Sequence, residues 1–272
     1  RLSEVFRRYE DNLNAICGSA AQADAKTVLC TVPANLRHWK PMNSRHKPGL
    51  SGEDSSRWQV LYNEGKAEYS QGNMVKAMEK YVSAAALDDT FAELRFSMGQ
   101  CLWKMERFEE AKAEFESSLE YDSYQWVRSR RRTNEVIRRV QEERANNGVA
   151  LADVKAMIDS ASPHACPGLD LFCDGCHFTP EGSYIFAKTV FSSTCDLLPD
   201  WVKSKEAPSG EFPSLDVCRK TLVLSPVAMY DYLKRFLASS DVENVDELDV
   251  INKNLARVES EIQAGIPLQI CG

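Results

Sequence analysis

Between Trp58 and Tyr124 the sequence repeats with a period of 34 residues. Tyr62 recurs as Phe96, Gly65 as Gly99, Tyr69 as Trp103, Ala77 as Ala111, Tyr81 as Phe115 and Asp88 as Asp122. A repeat of this length with small residues at fixed points implies helix–turn–helix units. The glycines and alanines mark where two helices must approach closely, and the aromatics fill the space between neighbours. Two stacked units leave one flank uncovered, so a cap is expected. A helix from Trp126 to Arg144, with Trp126, Ile137 and Val140 on its apolar side, is positioned to supply it. Asn146-Asn-Gly148 would stop that helix.

Outside the repeats the pattern changes. The opening residues read as an amphipathic helix with Val5, Tyr9, Leu13 and Ile16 on one stripe, ending near Gly18. Thr27-Val-Leu-Cys-Thr-Val32 is a short β-branched run closed by Pro33, as in a buried parallel strand. Asn35 to Ser56, rich in Pro, Gly and polar residues, reads as a crossing between modules. Val149 to Ile158 starts like a strand and runs into helix. A long helix is expected from Glu181 to Lys203, with Pro180 set for its first turn. After the linker Glu206 to Pro213, two or three helices run to the end, with Leu222, Val227, Tyr230, Leu233 and Phe236 available for packing. The expected divisions are 1–56, 57–125, 126–205 and 206–272.

A chain of 272 residues that is 43% apolar and 27% charged can bury a substantial core. Its net charge of −7 argues against nucleic-acid binding. No apolar run approaches the roughly 20 residues that a membrane span requires. The sequence opens at Arg1 in what reads as the middle of a domain, so a longer parent chain is expected. Nine cysteines leave at least one thiol unpaired within the chain, and their spread does not match a small disulfide scaffold.

The chemistry concentrates in Asp174-Gly-Cys-His177. An aspartate and a histidine three apart, on a loop leading into a helix, can turn the same way. The carboxylate then holds the imidazole in one tautomer while the second ring nitrogen takes a proton from a hydroxyl. The competing reading is that both residues merely cap the helix beginning at Pro180. Cys173-Asp-Gly-Cys176, with Cys166 upstream and His177 or His164 nearby, is compatible with zinc, a redox pair, a disulfide or buried thiols. No metal or cofactor is otherwise called for. Asn35, Arg37, His38 and His46 follow the first strand, on the side where α/β sheets place ligands, and are candidate substrate contacts. Loop polarity accounts for them equally. The run Arg128, Arg130, Arg131, Arg132, Arg138 and Arg139 can meet phosphate, but Glu135, Glu142 and Glu143 favour a salt-bridged helix face.

Two resemblances organise these readings. The 34-residue units resemble tetratricopeptide repeats, which implies a groove that takes a protein or peptide. Pro167-Gly-Leu-Asp-Leu-Phe172 and Phe178-Thr-Pro-Glu-Gly-Ser-Tyr-Ile-Phe-Ala187, flanking the Asp–His block, resemble the last motif block of SGNH (GDSL-type) hydrolases. The order of strand, crossing helix with Asn134, Asp–His loop and closing helix agrees with that family. The fold class implied is α/β, part of a flavodoxin-like SGNH sandwich with a parallel sheet, an inserted all-α repeat module and a helical C-terminal extension. The resemblance implies an esterase or O-acyltransferase with His177 as base and Asp174 as its orienter, acting on an ester or O-acylated substrate such as an acylated carbohydrate. The family's nucleophilic serine, glycine and Gly-x-Asn blocks precede the first strand and are not found here. The nucleophile would then come from an upstream segment, or this chain serves as a non-catalytic scaffold subunit. Relatives of this architecture suggest an extracytoplasmic, anchored protein.

Overall fold

The computed structural model describes residues 2–124, 128–205, 212–222, 226–239 and 245–264. Within them the chain is mostly helical around a small parallel sheet. Strand β1 (Thr27–Cys30) pairs in parallel with β2 (Val149–Ala152), in register from Thr27 opposite Val149 to Cys30 opposite Ala152. The connection between them carries the entire repeat region.

Helix α1 (Leu2–Gln22) lies against α6 (Arg131–Arg144). Phe6, Tyr9, Leu13 and Cys17 pack with Val136, Ile137 and Val140 and with Leu29 and Val149 of the strands. The expected stripe is therefore rotated: Val5 and Ile16 are exposed. Both stripes share Tyr9 and Leu13, and Phe6 decides between them because its ring buries more apolar area than Val5 can. The helix also runs past Gly18, where a glycine costs helix propensity without ending the helix. It stops at Asp24, which takes a left-handed φ of 53°.

The 34-residue pattern folds as two antiparallel helical hairpins. Helices α2 (Gly52–Ser70) and α3 (Met74–Leu87) make the first; α4 (Ala92–Lys104) and α5 (Phe108–Tyr121) make the second. Helix α2 begins at Gly52, inside the stretch expected to be linker, because Ser51 caps it by accepting the Asp54 N–H. The glycine pair explains itself. A Cβ on Gly65 would strike the Tyr81 ring, and one on Gly99 would lie 2.7 Å from the Phe115 ring. The turns inside the hairpins match as well, with left-handed φ of 81° at Gly72 and 59° at Glu106, one period apart.

The open flank is covered, but not by the expected cap. Phe96, Leu102, Ala111, Phe115 and Leu119 of the second hairpin close over Ala34, Leu36 and Cys166. Arg37 lies over the Trp103 ring at 4.5 Å, and His164 stacks on Phe108 at 3.5 Å. Helix α6 instead packs on α1, β1 and β2, and it meets the repeats through Arg131, whose N–H reaches Glu120. Its stripe of Ile137 and Val140 serves the sheet, and Trp126 lies outside the described residues.

Beyond β2 come α7 (Val154–Ala161) and α8 (Pro180–Leu197), which cover the sheet. The single helix expected to reach Lys203 is broken by Pro199, which forces Leu198 into an extended conformation and starts the short α9 (Asp200–Lys203). Helix α10 (Leu215–Thr221) precedes a hairpin of α11 (Pro226–Ser239) and α12 (Val245–Gln263). Leu233, Ile251, Leu255 and Val258 of that hairpin enclose Leu169, so the C-terminal hairpin docks on the segment that leads into the Asp–His loop. Tyr230 and Leu233 join this packing; Leu222 and Val227 stay exposed, and the Phe236 side chain lies outside the described residues.

Candidate functional site

The loop 173–177 is folded around one carboxylate. Asp174 Oδ1 accepts the backbone N–H groups of Cys176 and His177, each at 2.8 Å. Asp174 Oδ2 lies 2.7 Å from His177 Nδ1. The Cys173 N–H donates to the His177 carbonyl at 2.7 Å, and Phe172 and Phe178 bridge across the base, closing a small hairpin. Burial alone would raise the Asp174 pKa. The two backbone donors and the imidazole outweigh it, so the carboxyl is held below its usual range. An ionised Oδ2 facing Nδ1 favours the tautomer with hydrogen on Nδ1. Nε2 is then a bare acceptor, and no described residue bonds it; the His177 side chain is 77% exposed. Helix α8 is capped by Thr179, whose hydroxyl accepts the Gly182 N–H, with Pro180 at the first position. Asp174 and His177 are thus not its cap.

The segment after β1 holds this loop from behind. Asn35 is completely buried. Its Nδ2 donates to the Asp174 carbonyl at 3.0 Å, its N–H to the Gly175 carbonyl at 3.1 Å, and its Oδ1 accepts the His38 N–H. Gly175 lies under Trp39, where a Cβ would come within 2.9 Å of the indole nitrogen. The site therefore sits at the carboxyl end of β1, where parallel sheets place ligands. Asn134 fixes the end of the strand: its Oδ1 accepts the Val32 N–H at 2.7 Å and its Nδ2 donates to the Val32 carbonyl at 2.9 Å.

Four residues were candidate substrate contacts, and the structure places them differently. Asn35 braces the loop. His38 is buried and accepts the Leu169 N–H on Nδ1 at 3.0 Å. Desolvation, with Arg37 adding to it, pushes its pKa well below the ordinary histidine range, so it is neutral and carries its hydrogen on Nε2. Arg37 pairs with Asp170 at 2.5 Å beneath the Trp103 ring. His46 lies 2.7 Å from Asp88 and packs between Trp58 and Phe91, so its partners lie in the repeats, around the junction of α3 and α4, rather than in the Asp–His loop.

The proposed thiol cluster is not assembled. Cys166 is buried in the repeat core, where desolvation pushes its thiol up to about 12. Cys173 Sγ faces the Phe178 carbonyl at 3.4 Å. Cys176 Sγ lies 3.7 Å from His177 Nδ1. Burial and the neighbouring Asp174 raise its pKa, so it stands as a thiol and is no ready nucleophile. The described cysteines are free thiols, and Cys271 lies outside the described residues.

Sequence reasoning missed Arg128. Read as part of an exposed basic run, it is buried, donating to the Asn35 and Trp39 carbonyls and to Asp122 at 3.1 Å. The remaining arginines are largely paired, with partners from other elements: Arg138 with Asp153, Arg139 with Glu10 and Arg131 with Glu116. Asp122 also takes the Met42 and Asn43 N–H groups, while its repeat counterpart Asp88 takes the Lys47 N–H. The two period-matched carboxylates thus pin the segment 42–47 across the ends of both hairpins. The signal was the Asp88–Asp122 pair itself. Comparison with protein-family models, curated proteins and solved structures finds no match.

Proposed function

We propose that Asp174 and His177 are the orienter and general base of an SGNH-type ester hydrolase or O-acyltransferase. One observation carries this reading: an ionised carboxylate held by two backbone donors, 2.7 Å from Nδ1 of an imidazole whose other nitrogen is open. The order β1, crossing helix α6, β2, Asp–His loop and α8 supports placing the two strands in an SGNH sandwich. A hydroxyl nucleophile brought to Nε2 gives up its proton there as its oxygen attacks the acyl carbon. The ester C–O bond then breaks, and the leaving alkoxide takes the proton back from Nε2. Water or an acceptor hydroxyl repeats the sequence on the acyl-enzyme. The nucleophile is proposed to come from polypeptide other than these 272 residues.

The repeats serve this site by holding its support in place. Phe96 and Trp103 of α4 are covered by Ala34, Leu36 and Arg37, so much of the inner surface of the second hairpin is taken up by the chain itself. That reduces the room for a peptide groove and favours the catalytic reading over a free recruitment module. Among the described residues no helix is long and apolar enough to cross a membrane.

The test is hydrolysis of p-nitrophenyl acetate by the full-length protein. His177→Ala and Asp174→Asn are each expected to lower kcat by about 10²–10⁴-fold. Unchanged turnover in His177→Ala rules the assignment out.

A further inference from the structure

Asp174, Cys176 and His177 offer three donor atoms of different chemistry within 4.8 Å of one another. From this juxtaposition we infer that the site loop binds a zinc ion through Asp174 Oδ2, Cys176 Sγ and His177 Nδ1, and that the ion and the catalytic base exclude each other. Tetrahedral zinc with sulfur at about 2.3 Å and nitrogen or oxygen at about 2.0–2.2 Å separates its ligands by roughly 3.4–3.6 Å. Sγ and Nδ1 already stand 3.7 Å apart. Oδ2 and Nδ1, at 2.7 Å, share a hydrogen. Replacing that hydrogen with a metal requires them to part by only about 0.7 Å.

The loop is built to tolerate this change. Asp174 Oδ1 keeps the Cys176 and His177 N–H groups, so the carboxylate stays oriented while Oδ2 ligates. Asn35 holds the Asp174 and Gly175 carbonyls independently of the side chains. Such outer contacts are what fix metal ligands in place. Three ligands leave a fourth position for water, as in open zinc sites. Binding is written as the Cys176 thiol losing its proton to buffer and the His177 ring hydrogen moving from Nδ1 to Nε2, while S–Zn and N–Zn bonds form. A zinc on Nδ1 removes the hydrogen that Asp174 holds there and withdraws electron density from the ring. Nε2 then carries the ring hydrogen and is no longer a base. The binding itself does not depend on the hydrolase reading; only this consequence does.

Zinc titration of the 272-residue chain by calorimetry, followed by iodoacetamide labelling read by mass spectrometry, tests the site. One equivalent is expected to bind, and zinc should slow alkylation of Cys176 with reversal by chelator. Cys176→Ser and His177→Gln are each expected to weaken binding by about tenfold or more, while Cys173→Ser binds as the parent does. Circular dichroism of each variant separates misfolding from ligand loss. Absence of stoichiometric binding, or equal affinity in Cys176→Ser, overturns the inference. Zinc binding by a protein whose full-length, chelator-treated form shows no esterase activity would sink the hydrolase reading and leave this site standing.

Discussion

Single residues divide here into those left open to solvent and those that hold. His177 is exposed with one nitrogen occupied, whereas His38, also flagged from sequence, is buried with Nδ1 already used as an acceptor. Sequence spacing cannot tell these apart, since both follow a strand or a loop and both neighbour polar residues. Burial tells them apart, and it depends on Leu169 and Gly168 arriving from 131 residues away. The depressed pKa of His38 has a consequence for stability. The unfolded chain protonates this histidine near the ordinary value of about 6.5, while the folded chain does not until lower pH. Below about pH 6.5 the unfolded state binds more protons, so stability is lost as the pH falls. His38→Asn, whose Oδ1 can still accept the Leu169 N–H, is expected to flatten that slope in urea midpoints measured from pH 7 to 5. Parallel slopes in both proteins contradict the assignment.

At the scale of elements the repeat hairpins were the most legible part of the chain, because their glycine and aromatic spacing encodes a contact. Gly65 against Tyr81 and Gly99 against Phe115 are the same contact one period apart. Gly99→Ala is therefore expected to lower stability by about 1–3 kcal/mol through overpacking. The turn inside each hairpin makes the opposite prediction. Gly72 accommodates its left-handed φ freely, but Glu106 at the equivalent position has a Cβ there. Glu106→Gly is expected to gain about 0.5–1 kcal/mol in urea unfolding; a loss in that assay refutes strain at this turn. Elsewhere elements were misjudged where a long-range partner decided the outcome. The stripe of α1 turned toward Phe6 because α6 supplies Val136 and Ile137, and α6 left the repeats because the sheet needed covering. The helix ends at Leu197 because of Pro199, a local signal present in the sequence itself.

For the whole molecule, the arrangement joins three parts through one relay. Asp122 at the end of the repeats holds Arg128, Arg128 holds the Asn35 carbonyl, and Asn35 holds the Asp174 carbonyl. The sequence showed a repeat insertion and an Asp–His loop, and the order of elements set them near each other. It did not show that the repeats pack on the segment that braces the site loop, because Ala34, Leu36 and Cys166 read as loop residues until the hairpin closes over them. Excising residues 52–121 with a short linker is thus expected to leave a chain that loses cooperative thermal unfolding and exposes Leu36 and Cys166 to solvent. A well-folded deletion product would show the repeats to be a detachable insert. Everything in this scaffold converges on the state of one ring, and the most direct measurement is the long-range proton–nitrogen NMR spectrum of His177 in the 272-residue chain at neutral pH with chelator present. The expected spectrum is that of the tautomer with hydrogen on Nδ1 and a bare Nε2, shifting toward hydrogen on Nε2 in Asp174→Asn. A dominant Nε2–H form in the parent protein, or no change on that substitution, contradicts it.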